Sequence, residues 1–243
     1  MKLSFWGDTN VGKRRENNQD SFITDGNLKL FAVADGMGGH KGGEVASSMA
    51  VETLKESLER YKRQNSNRSV RDLLTDAFME ASLKIHRKST VENPELMGMG
   101  TTMVAGLVHD NKIYIANVGD SRCYLIRDQN IWRLTEDHSL VYEQIKAGLI
   151  SGGDDSSAPA RNVITRSVGF EREVNVDVVE REIQPGDSFL LSSDGLHGLL
   201  DDHEILEIAK NSIPPKVVGK CIDAANQAGG DDNISVVYIL PTF

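Results

Sequence analysis

Five aspartates stand at the ends of short apolar runs, a setting in which a carboxylate could do chemistry. They are Asp20, Asp35, Asp120, Asp194 and Asp232. An apolar run of this length is typical of a buried strand, and an unpaired charge at its end is costly. Few Lys or Arg residues lie near these positions in sequence, so divalent cations are the simplest partners for all of them. Carboxylate oxygens suit Mg²⁺ and Mn²⁺, and the pattern therefore predicts an acidic site for several metal ions, with hydrolytic chemistry.

Strands and helices must bring these distant residues together, and hydrophobic periodicity predicts where they lie in the first half of the chain. Asp25-Gly26-Asn27 is a hairpin signal between two strands, and two long amphipathic helices follow. Short polar connections within 100–134 predict an antiparallel meander there. The predicted strands are 2–9, 20–25, 28–34 and those within 100–134, and the predicted helices are 43–63 and 69–88.

The second half of the chain repeats this alternation and suggests the layering of the fold. A segment rich in Gly, Ser and Asp, about 149–163, is predicted to be a surface flap. The other predicted elements are a short helix at 138–148, strands at 174–183, 187–193 and 232–240, and helices at 202–211 and 214–228. Several strands are apolar on both faces, so we expect an α+β fold with two mostly antiparallel sheets packed together and helix pairs outside. With no linker or repeat, 1–243 is expected to be one domain.

The bulk composition argues against several classes of protein. The chain has 27 Lys and Arg against 36 Asp and Glu, a net charge of −9, which disfavours binding to nucleic acid or to an anionic membrane. Cys123 and Cys221 lie far apart without the spacing of a zinc site or a disulfide framework. Neither a signal peptide nor a run long enough to span a membrane is recognisable. A cytoplasmic protein is therefore expected.

Seven motifs, taken in order, make the chain resemble a known family. They are GKRRENNQD (12–20), VADGMGGHKGGEVAS (33–47), GTT (100–102), NVGDSR (117–122), ITRSVG (164–169), LLSSDGL (190–196) and GGDDNISVV (229–237). Together they resemble the metal-dependent protein serine/threonine phosphatases of the protein phosphatase 2C type, in their small bacterial form. The resemblance covers essentially the whole chain and implies a four-layer α/β/β/α sandwich, in agreement with the elements predicted from periodicity.

The resemblance also implies a role for each aspartate. Asp35 would bridge two metal ions, and the carbonyl of Gly36 would supply a further ligand. Asp194 and Asp232 would complete the second metal site. Asp20 would lie at or just outside the ligand shell and hold a coordinated water, and Asp120, with Asp194, would form a weaker third position. The implied cofactors are two core Mn²⁺ or Mg²⁺ ions with a possible third.

Two further residues have implied catalytic roles. Arg15 matches the phosphate-binding arginine of the family, and its planar guanidinium suits two phosphoryl oxygens. His40 lies three residues after Met37, which stands where some family members carry a histidine directly after the Asp-Gly pair. His40 is therefore either the acid that protonates the leaving alkoxide or a loop histidine bonded to the backbone.

The implied function is hydrolysis of phosphoserine and phosphothreonine in proteins by a metal-activated water. Partners would be phosphoproteins made by a serine/threonine kinase of the same cell, and the enzyme is expected to be a monomer. Two alternatives stay open from sequence: a catalytically inactive binding module on the same fold, and a metal-dependent nuclease or small-molecule phosphoesterase. The complete aspartate set disfavours the first, and the acidic charge disfavours a nuclease.

Overall fold

Eleven strands form two antiparallel sheets in the computed structural model, which describes residues 1–39, 42–64, 68–150 and 163–243. The strands are β1 (Lys2–Asn10), β2 (Asp20–Asp25), β3 (Leu30–Met37), β4 (Gly100–Thr101), β5 (Met103–His109), β6 (Lys112–Val118), β7 (Arg122–Arg127), β8 (Asn130–Arg133), β9 (Asp177–Glu182), β10 (Ser188–Ser192) and β11 (Ile234–Thr242). Sheet I has the order β1-β11-β10-β7-β8, and sheet II has the order β2-β3-β5-β6-β9, with the short β4 paired to β3.

Six α-helices lie in the described ranges. They are α1 (Gly42–Arg63), α2 (Val70–Arg87), α3 (Leu140–Lys146), α4 (Asp194–His197), α5 (Asp202–Lys210) and α6 (Val217–Gln227). Side-chain caps set several starts: Ser69 and Ser139 accept from the backbone ahead of α2 and α3, and Asp201 forms a capping box with Glu204 at α5. No helix of the described residues is long and apolar enough to cross a bilayer.

Strand alternation divides the interior into three apolar layers. On β3, Leu30, Ala32 and Ala34 pack against α1 and α2, whereas Phe31 and Val33 face sheet I. Sheet I alternates likewise, and its outer face packs against α4, α5 and α6. The expected α+β sandwich of four layers, with a helix pair on each side, is confirmed.

The predicted helices 43–63 and 69–88 are confirmed within one residue, and the apolar stripe of the first is buried at Ala46, Ala50, Leu54 and Leu58. The predicted helix 214–228 begins instead with a 3₁₀ turn at Pro214–Lys216 before α6. The four-residue helix α4 was not predicted, because so short a segment has no periodicity to detect.

The predicted meander within 100–134 was wrong in one respect. β5 and β6 form a hairpin in sheet II, but β7 and β8 form a hairpin in sheet I. The chain crosses between the sheets at Gly119, which has φ +101°, and a Cβ there would lie 2.5 Å from the Cβ of Thr102. A Gly-Asp pair reads as a tight turn in sequence, but packing against Thr102 turns the chain towards the other sheet.

Candidate metal centre

Two of the predicted carboxylates lie side by side on neighbouring strands of sheet II. Asp20 opens β2 and is directly opposite Asp35 on β3 in the antiparallel register. Asp20 is only 7% exposed. Since paired residues on adjacent strands point to the same side of a sheet, both carboxylates lie at the same end of the sandwich.

Two hydroxyl groups fix the carboxylate of Asp20. Ser193 and Ser235 each donate to Asp20 Oδ2 at 2.7 Å. Asp20 Oδ1 is buried and has no hydrogen-bond partner among the described residues. Burial, with the charges of Asp194 and Asp232 adding to it, raises the pKa of Asp20 to about 7 despite these two bonds. Asp20 therefore presents one oriented, unsatisfied oxygen.

Asp35 and Asp194 are hydrogen-bonded to each other across the two sheets. Asp194 is the first residue of α4 and is separated from β10 by Ser193, and its Oδ1 also has no partner in the described part of the chain. Burial raises the pKa of both groups, and the charges of Asp20 and Asp120 raise that of Asp35 further. Their mutual bond raises the pKa of Asp35 and lowers that of Asp194.

Asp120 lies at the crossover between the sheets. It is 9% exposed, its Oδ1 is unpartnered among the described residues, and burial together with the charge of Asp194 raises its pKa to about 7. The turn before it is held by His138, whose Nδ1 accepts from the Gly119 N–H at 3.1 Å. The ring of His197 is hydrogen-bonded to the Asp120 backbone. His138 and His197 thus hold the backbone of the turn that carries this carboxylate.

Among the described residues, Asp232 is the cluster member that forms an ion pair with a basic side chain. Arg15 Nη2 contacts Asp232 Oδ2 at 2.6 Å, while the Asn233 N–H donates to Asp232 Oδ1 at 2.8 Å. The Arg15 side chain is 53% exposed. Bonding to Asp232 raises the pKa of the guanidinium above its already high value, so Arg15 is permanently charged at the edge of the cluster.

A single asparagine ties the loop that carries Arg15 to the rest of the centre. Asn233 Oδ1 accepts from the Gln19 N–H at 2.8 Å, and its Nδ2 donates to the carbonyls of Val11 and Asn17 at 2.9 and 3.0 Å. Asn233 is 4% exposed. Sequence reasoning missed this role, because the contacts join residues more than 200 positions apart.

Gly36 lies where the backbone is too crowded for a side chain. A Cβ at Gly36 would lie 2.0 Å from the Gly43 carbonyl oxygen and 2.6 Å from that of Gln19. Glycine is therefore required by close packing of β3 against the start of α1. The same requirement holds at Gly195, where a Cβ would lie 2.0 Å from the Asn233 carbonyl oxygen.

The structure brings together the five aspartates, Gly36 and Arg15. His40 lies outside the described residues, as does most of the flap expected at 149–163. The donor set fits Mg²⁺ or Mn²⁺, because Asp20, Asp120 and Asp194 each offer a buried carboxylate oxygen without a partner among the described residues. As the described side chains stand, no group of three or more His, Cys, Asp or Glu residues is arranged to hold a metal ion. Asp232 is bound to Arg15, and Asp35 to Asp194.

Comparison with known proteins decides the family. The family model for protein phosphatase 2C matches residues 9–214. The chain belongs to the protein phosphatase 2C family. A relative in this family from Listeria monocytogenes serotype 4b, named serine/threonine phosphatase stp, is 38% identical over 236 residues, which cover 95% of this chain and 93% of that protein.

Solved structures of the family have the same fold. The Mycobacterium tuberculosis serine/threonine phosphatase PstP/Ppp superposes with a TM-score of 0.90 at 33% identity, covering 98% of each chain. The catalytic domain of PstP in complex with two manganese ions superposes with a TM-score of 0.87 at 32% identity, covering 98% of this chain and 97% of that one. The family resemblance inferred from the seven motifs is confirmed.

Proposed function

We propose that this chain is a metal-dependent protein phosphatase that hydrolyses phosphoserine and phosphothreonine in proteins with a metal-activated water. The observation that carries the proposal is the cluster of five buried or half-buried aspartates with a permanently charged arginine at its edge. Membership of the protein phosphatase 2C family and a related catalytic domain that binds two manganese ions support it. Neither cysteine is available as a nucleophile, since burial raises the pKa of Cys123 and Cys221.

Six residues are proposed to hold two core Mn²⁺ or Mg²⁺ ions and a possible third. They are Asp20, Asp35, Gly36 through its carbonyl, Asp120, Asp194 and Asp232. When bound, such ions polarise a phosphoryl oxygen and lower the pKa of a water molecule. These roles require that the Asp35–Asp194 bond and the Arg15–Asp232 ion pair be exchanged for metal contacts.

The proposed role of Arg15 follows from this exchange. Release of Asp232 would free the guanidinium at the edge of the cluster, where its fork could donate to two oxygens of the substrate phosphate. The same charge would stabilise the phosphoryl group as negative charge develops in the transition state. Because Asn233 holds the loop from both ends, Arg15 would swing as a side chain while its backbone stays in place.

Asp20 is proposed to orient the attacking water. Ser193 and Ser235 hold its Oδ2, so that Oδ1 keeps one direction and can accept a hydrogen bond from the water. The same carboxylate could act as a general base towards that water. His40 is the candidate for protonating the leaving alkoxide, and a loop histidine bonded to the backbone is the alternative.

The proposal has consequences for the biological setting. Substrates would be proteins phosphorylated by a serine/threonine kinase of the same cell, and the chain would act in the cytoplasm as a monomer. Residues 1–243 would be one catalytic domain, with the flap near 149–163 contributing to the choice of substrate. Nucleic acid and membrane would not be partners, given the net charge of −9.

One assay tests the function directly. Phosphate release from a phosphothreonine peptide is measured with Mn²⁺ and with EDTA, for the wild type and for Asp194→Ala. Release that needs Mn²⁺ and is lost in the variant is the expected result. Folded, metal-binding wild-type protein that releases no phosphate would refute the proposal and favour a scaffold or a different phosphoester as substrate.

A further inference from the structure

A groove opens between the two sheets on the side of the sandwich formed by β8, β9 and α3. Its volume is about 700 Å³. Val178 of β9 packs towards α1 and α2, so Asp177, Val179 and Arg181 point the other way, towards sheet I. Val179, Ile115 and Leu134 add apolar side chains to a lining that is otherwise mostly polar. β9 is the last strand of sheet II, so the groove runs along a sheet edge.

The rim of this groove is basic although the chain is acidic. Arg71, Arg133 and Arg181 line it together with Glu136 and Asp177. Both carboxylates already form ion pairs with residues outside the lining. Glu136 pairs with Lys146 at 2.6 Å, and Asp177 pairs with Arg166 at 3.2 Å.

The arginines of the rim are less well neutralised. Arg71 donates to the Val178 carbonyl and Arg181 to that of Glu180, and neither has a carboxylate within ion-pair distance in the described residues. Arg133 shares Asp137 with Arg122. A guanidinium has five N–H donors, so each arginine of the rim keeps unused donors.

Hydrogen bonds connect the lining of this groove to the turn at Gly119. Asn117, in its lining, donates through Nδ2 to the Gly119 carbonyl at 3.3 Å. Asp177 Oδ2 lies 3.0 Å from His138 Nε2, and the other nitrogen of that ring accepts from Gly119 N–H. Two lining residues are therefore one or two hydrogen bonds from the turn that carries Asp120.

We infer that this groove binds an acidic segment of the phosphoprotein substrate, next to the phosphorylated residue. The inference rests on the proposed phosphatase function and extends it to a substrate class: phosphoproteins with Glu or Asp residues near the phosphorylation site. Arg71 and Arg181 are the residues that recognise the carboxylates, through charge-assisted hydrogen bonds at the groove rim. A peptide fits better than a nucleic acid, because Tyr142 is the only aromatic residue among the described residues of the lining and the molecule is acidic as a whole.

The test compares two double variants on three substrates. Arg71→Gln/Arg181→Gln removes both rim charges, and Lys216→Gln/Lys220→Gln removes two exposed charges before and within α6, on the opposite side of the sandwich. The substrates are a phosphothreonine peptide flanked by Glu, the same peptide with Gln in place of Glu, and p-nitrophenyl phosphate. Thermal unfolding with and without Mn²⁺ checks that each variant folds.

The wild type should prefer the Glu peptide, and the arginine variant should raise KM for that peptide about fivefold with kcat unchanged. Rates on the Gln peptide and on p-nitrophenyl phosphate should stay at the wild-type level, as should all rates of the lysine variant. Binding of a fluorescent, unphosphorylated Glu peptide, followed by anisotropy, should weaken in the arginine variant alone.

Several results would overturn the inference. Equal wild-type rates on the Glu and Gln peptides would remove it while leaving the phosphatase function intact. Equal losses in the lysine variant would reduce the effect to net charge, and losses on all three substrates would place the arginines in folding or catalysis. Displacement of the fluorescent peptide by a single-stranded oligonucleotide at equal charge concentration would point to nucleic acid. If the wild type releases phosphate from none of the substrates, the proposed function fails and the inference with it.

Discussion

At the scale of single residues, the candidate centre consists of carboxylates that destabilise the fold by themselves. Asp20, Asp120 and Asp194 each bury an oxygen that has no hydrogen-bond partner in the described part of the chain, and burial is the first cause of the raised pKa in all three. Such an arrangement is expected at a functional site, where groups that destabilise the free protein are stabilised when a ligand binds.

Asp120→Asn should therefore have opposite effects on stability and activity. Removing the ionisable oxygen should raise the free energy of unfolding in EDTA by roughly 1–3 kcal/mol at pH 7.5, as measured with urea. Loss of a proposed ligand should also increase the Mn²⁺ concentration needed for half-maximal phosphate release. The matched control is Asp231→Asn, whose exposed carboxylate pairs with exposed Arg14 and whose loss should change neither quantity appreciably. A less stable Asp120→Asn protein in EDTA would contradict the account.

At the scale of elements, uncharged side chains connect the strand ends that carry the aspartates to the loop between β1 and β2. Asn233 precedes β11, and its side chain holds the loop between β1 and β2 through three hydrogen bonds. Thr102, between β4 and β5, accepts from the Asp35 N–H and bonds Ser121 beside Asp120. The acidic cluster depends on these neutral contacts for its geometry.

Asn233→Ala should loosen the Arg15 loop without touching a charged group. Loss of three part-buried hydrogen bonds should lower the free energy of unfolding by roughly 2–4 kcal/mol. It should also raise KM for a phosphopeptide, because Arg15 would no longer be held at the cluster. If the loop is the reason, Arg15→Ala should raise KM by a smaller factor in the Asn233→Ala background than in the wild type. Kinetics of the wild type, the two single variants and the double variant measure that coupling. Asn226→Ala, which removes one contact with Asn10, is the control. Fully additive effects would show that Asn233 acts elsewhere.

His138 links the crossover turn to β9 and provides a second prediction at this scale. Its ring is buried, which lowers its pKa and keeps it neutral near pH 7, and it accepts from Gly119 while facing Asp177. His138→Ala should raise the Mn²⁺ requirement, as Asp120→Asn does, with little change at saturating metal. His86→Ala, which removes a ring bonded to the Phe170 carbonyl, should leave the requirement unchanged. If His138→Ala needs the same Mn²⁺ concentration for half-maximal activity as the wild type, His138 does not position Asp120.

The sequence predicts these elements better than it predicts their contacts. Strand ends locate the aspartates, and long helices such as α1 and α2 are visible as apolar stripes, because both are local patterns. Local patterns do not specify partners: the hydroxyls of Ser193 and Ser235 reach Asp20 across 173 and 215 positions. The crossover at Gly119 was also missed, since its direction depends on packing against Thr102 and not on the turn residues.

At the scale of the whole molecule, the cluster should set how stability depends on pH. In the metal-free protein the pKa of Asp20 and that of Asp120 are each about 7, above the value near 3.8 expected for an unfolded chain. Between these values the folded state binds more protons than the unfolded state. The contribution of the two aspartates to stability is therefore fully present below pH 3.8 and is lost as pH rises through 7. Carboxylates with a lowered pKa, such as Asp25 and Glu80, act oppositely, but they are already ionised above pH 5.

Between pH 5 and pH 7.5, urea unfolding in EDTA should therefore show a falling free energy of unfolding, and Mn²⁺ should restore it at pH 7.5 by binding the folded state. The measurement separates two explanations of any loss. If the cluster is responsible, the free energy of unfolding of Asp20→Asn/Asp120→Asn in EDTA should depend less on pH. Mn²⁺ should also stabilise this double variant less than it stabilises the wild type. If the double variant keeps the wild-type slope, the pH dependence arises from other groups. A free energy of unfolding that rises with pH in EDTA would mean that other groups of the folded protein already stabilise these carboxylates in their ionised form. That result would remove the physical reason for assigning them to metal ions.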